Sequence, residues 1–270
     1  MSRRYLYNYC TLVNFGQPVV NHAVMLRCQP AQCSYIDIEE EHLVMSSGYR
    51  MRYGRDAFDN RLAYGNRRDA HTSMAYVSTG IVSMTEYKVA ADAMPLMLWR
   101  LPSRLTCCAD VPVVPGSSFD MPAPEAATHR DPAFTADFGL AVGIAHEVHA
   151  MMEYAPGATD VSTTAADAMV LRRGVCQDYA HVMIALCRRA GLAARYVCGF
   201  LCGTGQTHAW VEVFDGYSWR GIDPTNDVCI DYGYIKLAHG RDASYCPVNR
   251  GMFGGDARHT MLTDVKVTEI

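Results

Sequence analysis

From Tyr5 to about Asp92 apolar and polar residues alternate in short runs, YLYNYCTLV, VVNHAVMLR, YIDIEEEHLVM, RLAYG and MAYVSTGIVSMTEYKV, with turn residues between them. A two-residue period turns one side of each run toward a core and the other toward water. It predicts β-strands and an all-β, sandwich-like unit over residues 1–92. The pattern then breaks. Seven of the chain's twelve prolines fall between residues 93 and 132, at 95, 102, 112, 115, 122, 124 and 132. Each lacks an amide donor and clashes with the preceding turn, which excludes regular helix over most of this stretch and predicts a linker or crossover.

Beyond it the period lengthens. In FTADFGLAVGIAHEVHAMMEY the residues Phe138, Ala141, Val142, Ala145, Val148 and Met152 make a helical stripe, which Pro156 and Gly157 close. CQDYAHVMIALCRRAG places Tyr179, Val182, Met183, Leu186 and Ala190 on one helical face, with Gly191 as the capping glycine. ARYVCGFL, HAWVEVF and YSWRGI return to strand patterns. Helix followed by antiparallel strands makes residues 133–270 an α+β domain.

At 270 residues, 50% apolar and 19% charged, the chain has the composition of a soluble globular protein. It lacks the roughly 18–20 consecutive apolar residues that span a bilayer, and the N-terminus lacks the apolar centre of an export signal. No membrane partner and a cytoplasmic location are the expectations. Eleven cysteines, an odd number without repeated short spacing, argue against a disulfide framework; most are expected to be small buried hydrophobes. A net charge of −4 offers no field for a phosphate backbone, so nucleic acid is not expected as a partner.

One cysteine stands apart. Arg173-Gly174-Val175-Cys176 delivers a thiol through a glycine-containing turn to the first turn of a helix, where unpaired N–H groups and the helix dipole favour an anion. A nucleophilic thiolate is such an anion, and its backbone N–H is a candidate oxyanion donor. Asp215-Gly216 is a two-residue hairpin signal. In that register residue 214 opposes 217 and His208 opposes Asp223, close enough for the carboxylate to hold one imidazole nitrogen and leave the other free. Base and orienting acid stand in this relation in a catalytic triad.

RRGVCQDYAH, RRAGLAARYVCGFL, HAWVEVF, GIDPTN and YIKLAHGRD together resemble bacterial transglutaminase-like proteins, in the cysteine-protease branch, over about residues 133–270. The resemblance implies a papain-like thiol fold with Cys176 as nucleophile, His208 as base and Asp223 as orienting acid, acting without metal or cofactor. The N-terminal part resembles the β-rich domain that precedes this fold, with Asp59-Asn60 where the family has a glycine–asparagine turn. The implied reaction is acyl transfer at an amide of a peptide, protein or small molecule, with hydrolysis favoured and transamidation to an amine as the alternative. Oligomeric state is not legible.

Other features read more plainly. Trp210 shares a strand face with His208, as a shield or as core. Gln177 and Asp178 suit a helix's first turn, and Tyr179 suits the core. His146-Glu147-Val148-His149 lacks the four-residue histidine spacing of a zinc protease and reads as a solvated helix face. Two rivals remain: a zinc site built from Cys176, Cys198, Cys202 and His208, and a catalytically silent binding module.

Overall fold

A computed structural model describes residues 2–111 and 136–270. The N-terminal unit is built on β1 (Arg3–Leu26), β2 (Ile36–Met45), β3 (Arg50–Arg55), β4 (Arg61–Arg67) and β5 (His71–Met84). Burial alternates along Tyr5, Tyr7, Tyr9, Thr11, Val13 and Phe15, as a two-residue period requires. The two runs at the N-terminus form one strand, continued through an irregularity between Asn14 and Val19. The first half of β1 pairs with β5 and the second with β4, so a single bent strand serves two sheet segments. Strand β3 gave no signal in the sequence because arginines occupy Arg50, Arg52 and Arg55.

The proline-rich stretch departs from the linker expected of it as far as it is described. Helix α1 (Leu96–Arg100) starts directly after Pro95, whose φ of −58° already suits a helix entry. Trp99, Leu105, Thr106 and Val111 are buried, and the Arg188 guanidinium donates to the Trp99 carbonyl at 2.9 Å. Prolines 112 to 132 lie outside the described residues.

The second part runs α2 (Ala136–Met151), β7 (Glu153–Tyr154), α3 (Ala165–Leu171), β8 (Arg173–Gly174), α4 (Cys176–Arg189), β9 (Ala194–Leu201), β10 (Gly203–Gly205), β11 (His208–Phe214), β12 (Ser218–Asp223), β13 (Val228–Cys229), β14 (Tyr234–Gly240), β15 (Asn249–Gly254) and β16 (His259–Glu269); β6 (Val89–Ala90) precedes α1. Strands β13-β12-β11-β9-β14 form one antiparallel sheet, extended by β6 at β12. Helix α4 packs on β9 and β11. Among the described residues strand predominates and the helices are four, so the α+β label fits the whole only loosely.

The last two strands return to the beginning of the chain. Strand β16 pairs with β1 from Tyr5↔Glu269 to Phe15↔His259, and β15 pairs with the far end of β1. A division that gives all of 133–270 to one domain therefore does not describe residues 249–269, whose alternating residues fill the open edge of β1. The two parts share side chains as well. Tyr7 and Tyr9 lie with their ring centroids 5.9 and 5.1 Å from that of Phe200 on β9. Asp59 takes the left-handed φ of +63° that glycine ordinarily supplies, which brings Asn60 inward. Its amide then donates to the His239 carbonyl at 2.8 Å and accepts from the His239 N–H at 2.8 Å, tying the turn to β14.

Candidate active site

Cys176 is the first residue of α4, and the local sequence accounts for where the helix starts. The Asp178 carboxylate accepts the Val175 amide at 2.7 Å and the Thr159 hydroxyl at 2.6 Å, while the Asp178 amide donates to the Val175 carbonyl at 2.8 Å. This reciprocal pairing fixes the entry angle of the chain. Only glycine fits at 174, because a Cβ there would stand 2.5 Å from Asp178 Oδ2. Burial pushes the Asp178 carboxyl up despite these bonds. The helix is buried from Asp178 to Arg188, and Gly191 closes it at a φ of +78°. Its first-turn amides at Cys176 and Gln177 have no acceptor within the helix.

The hairpin that carries the other two residues has a longer loop than expected. Phe214 opposes Trp219, not Tyr217, and Val211 opposes Ile222. The cause is the Asp215 carboxylate, which accepts the amides of Tyr217 at 2.9 Å and Ser218 at 2.7 Å and folds residues 215–218 into the loop. His208 and Asp223 are therefore diagonal neighbours instead of an opposed pair. A slip of two residues keeps both on the same face, within reach of each other. His208 Nε2 lies 2.7 Å from Asp223 Oδ2, and the imidazole also shares a hydrogen bond with Cys176.

Burial works to lower the His208 pKa, but the hydrogen bonds to Asp223 and Cys176 and the charges of both outweigh it and raise it to about 10. Asp223 is fully buried and supplied with donors. Tyr234 Oη at 2.8 Å and Asn226 Nδ2 at 2.7 Å join His208 at Oδ2, and the amides of Thr225 at 2.9 Å and Asn226 at 3.3 Å donate to Oδ1. Burial alone would raise this carboxyl; the bonds to His208, Tyr234 and Asn226 hold it below its ordinary value.

Four residues that support the acid or its loop carry no functional assignment from the sequence. Asn226 follows the acid in GIDPTN and closes a turn on it, a spacing that signals such a role. Tyr234 comes from a different strand and leaves no local trace. The pair His146 and His149, read as a solvated face, is exposed but bonded: His146 Nδ1 is 2.8 Å from Asp227 Oδ2 and His149 Nδ1 is 3.1 Å from the Thr225 carbonyl. Helix α2 thus straps the loop whose amides hold Asp223. Trp210 is fully buried, its ring stacked 6.4 Å from His208 and set edge-on to Tyr234 at 5.4 Å. The cysteines of the rival zinc set point elsewhere, Cys198 to the Cys246 carbonyl at 3.2 Å and Cys202 to the Val267 carbonyl at 3.7 Å.

The imidazole makes stability pH-dependent with a definite sign. Folded His208 keeps its proton to about pH 10, whereas an unfolded histidine loses it near about 6.5. The folded chain holds the extra proton between those values, so this contribution to stability is complete below about pH 6.5 and is lost as pH rises toward 10. Urea unfolding across that range is expected to show the decline. The His208→Gln protein is expected to lack that component; an unchanged slope would contradict the assignment.

A helix-borne thiol, an imidazole facing it and a carboxylate orienting the imidazole form the kind of arrangement that thiol-dependent acyl transfer uses. Residues 131–224 match the transglutaminase-like superfamily, and residues 5–83 match the bacterial transglutaminase-like N-terminal region. Residues 131–224 are thus similar to a transglutaminase-like core, behind a stretch similar to the bacterial transglutaminase-like N-terminal region. An uncharacterized protein of Mycobacterium tuberculosis is 35% identical over 140 residues, covering 46% of this chain and 44% of that protein. One from Mycobacterium leprae is 33% identical over 139 residues, 48% of this chain and 50% of that protein. The matched stretch is thus half or less of these relatives. A solved structure from Cytophaga hutchinsonii, named as a candidate cysteine protease, superposes with a TM-score of 0.80 at 20% identity, over 100% of this chain and 91% of that one. It has the same fold.

Proposed function

We propose that this protein cleaves amide bonds by thiol-dependent acyl transfer, with Cys176 as nucleophile, His208 as acid and base, and Asp223 as the group that orients and charges the imidazole. The observation that carries this reading is the His208–Asp223 bond of 2.7 Å, made by Nε2, together with the hydrogen bond between the same imidazole and Cys176 at the head of α4. The Cys176 thiolate attacks the amide carbonyl, the C–O double bond becomes an oxyanion, and first-turn amides of α4 are its nearest candidate donors. Collapse of this intermediate breaks the C–N bond, and protonated His208 gives its proton to the leaving amine. The resulting thioester is attacked by water, whose proton returns to His208. The carboxylic acid leaves and the thiolate is restored.

Water is favoured as acceptor because the pair remains open to solvent: Cys176 is half-buried and the His208 side chain keeps 12% of its exposure. Peptide amides incubated with and without a primary amine, with products weighed by mass spectrometry, test the reading. Hydrolysed acid is expected in both cases. Predominant amine adducts at modest amine concentration would make the protein a transamidase, and no product from any amide would favour a silent binding module.

A further inference from the structure

The sheet segment β15-β1-β4-β3 buries one face, through Val24, Leu26 and Ala63, and leaves the other to solvent. The register arranges that outer face in two rows running across the strands. One row reads Arg52, Tyr64, Met25, Arg250; the adjacent one reads Arg50, Asn66, Ala23, Met252. Arg68 and Asp69 stand at the edge of the same open depression, about 740 Å³ in volume. Arg50, Arg52, Arg68 and Arg250 are all exposed, and none enters an ion pair or side-chain hydrogen bond among the described residues. Several arginines elsewhere are matched, Arg4 to Glu39, Arg27 to Asp56, Arg61 to Glu41 and Arg195 to Glu212, and those that are not, such as Arg100, Arg172 and Arg258, do not line this depression. Here four face one carboxylate, Asp69, in a chain whose net charge is −4.

We propose that this face is a docking surface for an acidic polypeptide segment. A guanidinium fork binds a carboxylate with two parallel hydrogen bonds, and arginine sheds water more readily than lysine, so unpaired arginines on a flat face suit carboxylate recognition. Arg52 and Arg250 end the same row three strand spacings apart, roughly 14 Å, and between them lie Tyr64 and Met25. Met252 is 73% exposed and Tyr64 42%, so adaptable apolar surface lies between charged ends. That alternation fits acidic side chains flanking apolar ones. Nucleic acid fits less well: the basic surface is short, the rest of the chain is net acidic, and the rows contain a single aromatic ring for base stacking.

The test is independent of chemistry at Cys176 and uses the full chain carrying Cys176→Ala. Fluorescence anisotropy follows a labelled twelve-residue peptide of alternating glutamate and leucine, beside an oligothymidylate of equal length. Saturable peptide binding that weakens with salt is expected. Replacing both Arg52 and Arg250 by glutamate is expected to weaken it by more than about tenfold, since like charges then face each other. Replacing Lys88 and Lys266 by glutamate changes net charge equally on exposed positions elsewhere and is expected to have little effect. Thermal unfolding of both double variants confirms folding, and Arg52→Gln with Arg250→Gln repeats the comparison if the glutamates disturb it. Absence of saturable peptide binding, equal loss in the lysine pair, or tighter binding of the oligothymidylate would each overturn the proposal.

Discussion

Iodoacetamide at pH 6 is expected to alkylate Cys176 before any of the other ten cysteines. The thiolate is the reacting form, and an ordinary thiol near pKa 8.5 is less than about 1% ionised at that pH. Cys176 faces an imidazole that holds its proton to about pH 10, and it opens a helix whose amides at Cys176 and Gln177 have no acceptor within the helix. Its competitors lack this setting. Burial pushes Cys28 and Cys187 up to about 12, and Cys33 to about 11. Cys202 is exposed but has a carbonyl as partner instead of a cation. His208→Ala deletes the cation and is expected to abolish the selectivity. Asp223→Asn is expected to leave Cys176 alkylated first yet reduce turnover by about 10⁴-fold, the loss seen when the orienting acid of a serine triad becomes an amide. Peptide mapping of the alkylated protein decides it; Cys176 labelling no faster than Cys202 at pH 6 would remove the prepared nucleophile from the mechanism.

These residues were legible because each announces itself locally. Cys176 follows a glycine turn and precedes a helical stripe, and His208 and Asp223 sit on strands joined by one short connection. The register differs from that of a two-residue Asp215-Gly216 turn because the Asp215 carboxylate caps a four-residue loop. The difference does no harm to the pairing of His208 with Asp223, since a slip of two residues returns every side chain to the same face. What could not be read was long-range. No local pattern reports that β16 closes on β1 across more than two hundred residues, or that Tyr234 and two histidines of α2 support the acid and its loop.

Glu212 is the clearest such case, and its loss is expected to be the most destabilising change outside the triad. A carboxylate between Val211 and Val213 in HAWVEVF, it is fully buried. Its carboxylate accepts Lys236 Nζ at 2.9 and 2.8 Å, Tyr87 Oη at 2.6 Å and the Arg195 guanidinium, which also reaches Asp92. Burial would raise this carboxyl, but Arg195 and Lys236 bring it down to about 2. The sign follows: its contribution to stability is complete above the unfolded value of about 4.3 and is lost as pH falls toward 2. Glu212→Gln leaves two buried cations with only Asp92 to answer them, and stranding a buried charge costs about 3–5 kcal/mol. Urea unfolding at neutral pH measures this directly, and a loss below about 1 kcal/mol would mean that water or Asp92 compensates the cations. The effect also reaches the active site. Tyr87, which donates to Glu212, accepts Trp210 Nε1 at 2.8 Å, and the Trp210 ring lies against His208. Glu212→Gln is therefore expected to slow Cys176 alkylation at pH 6 even in the fraction that remains folded, because the ring that backs the imidazole loses its anchor.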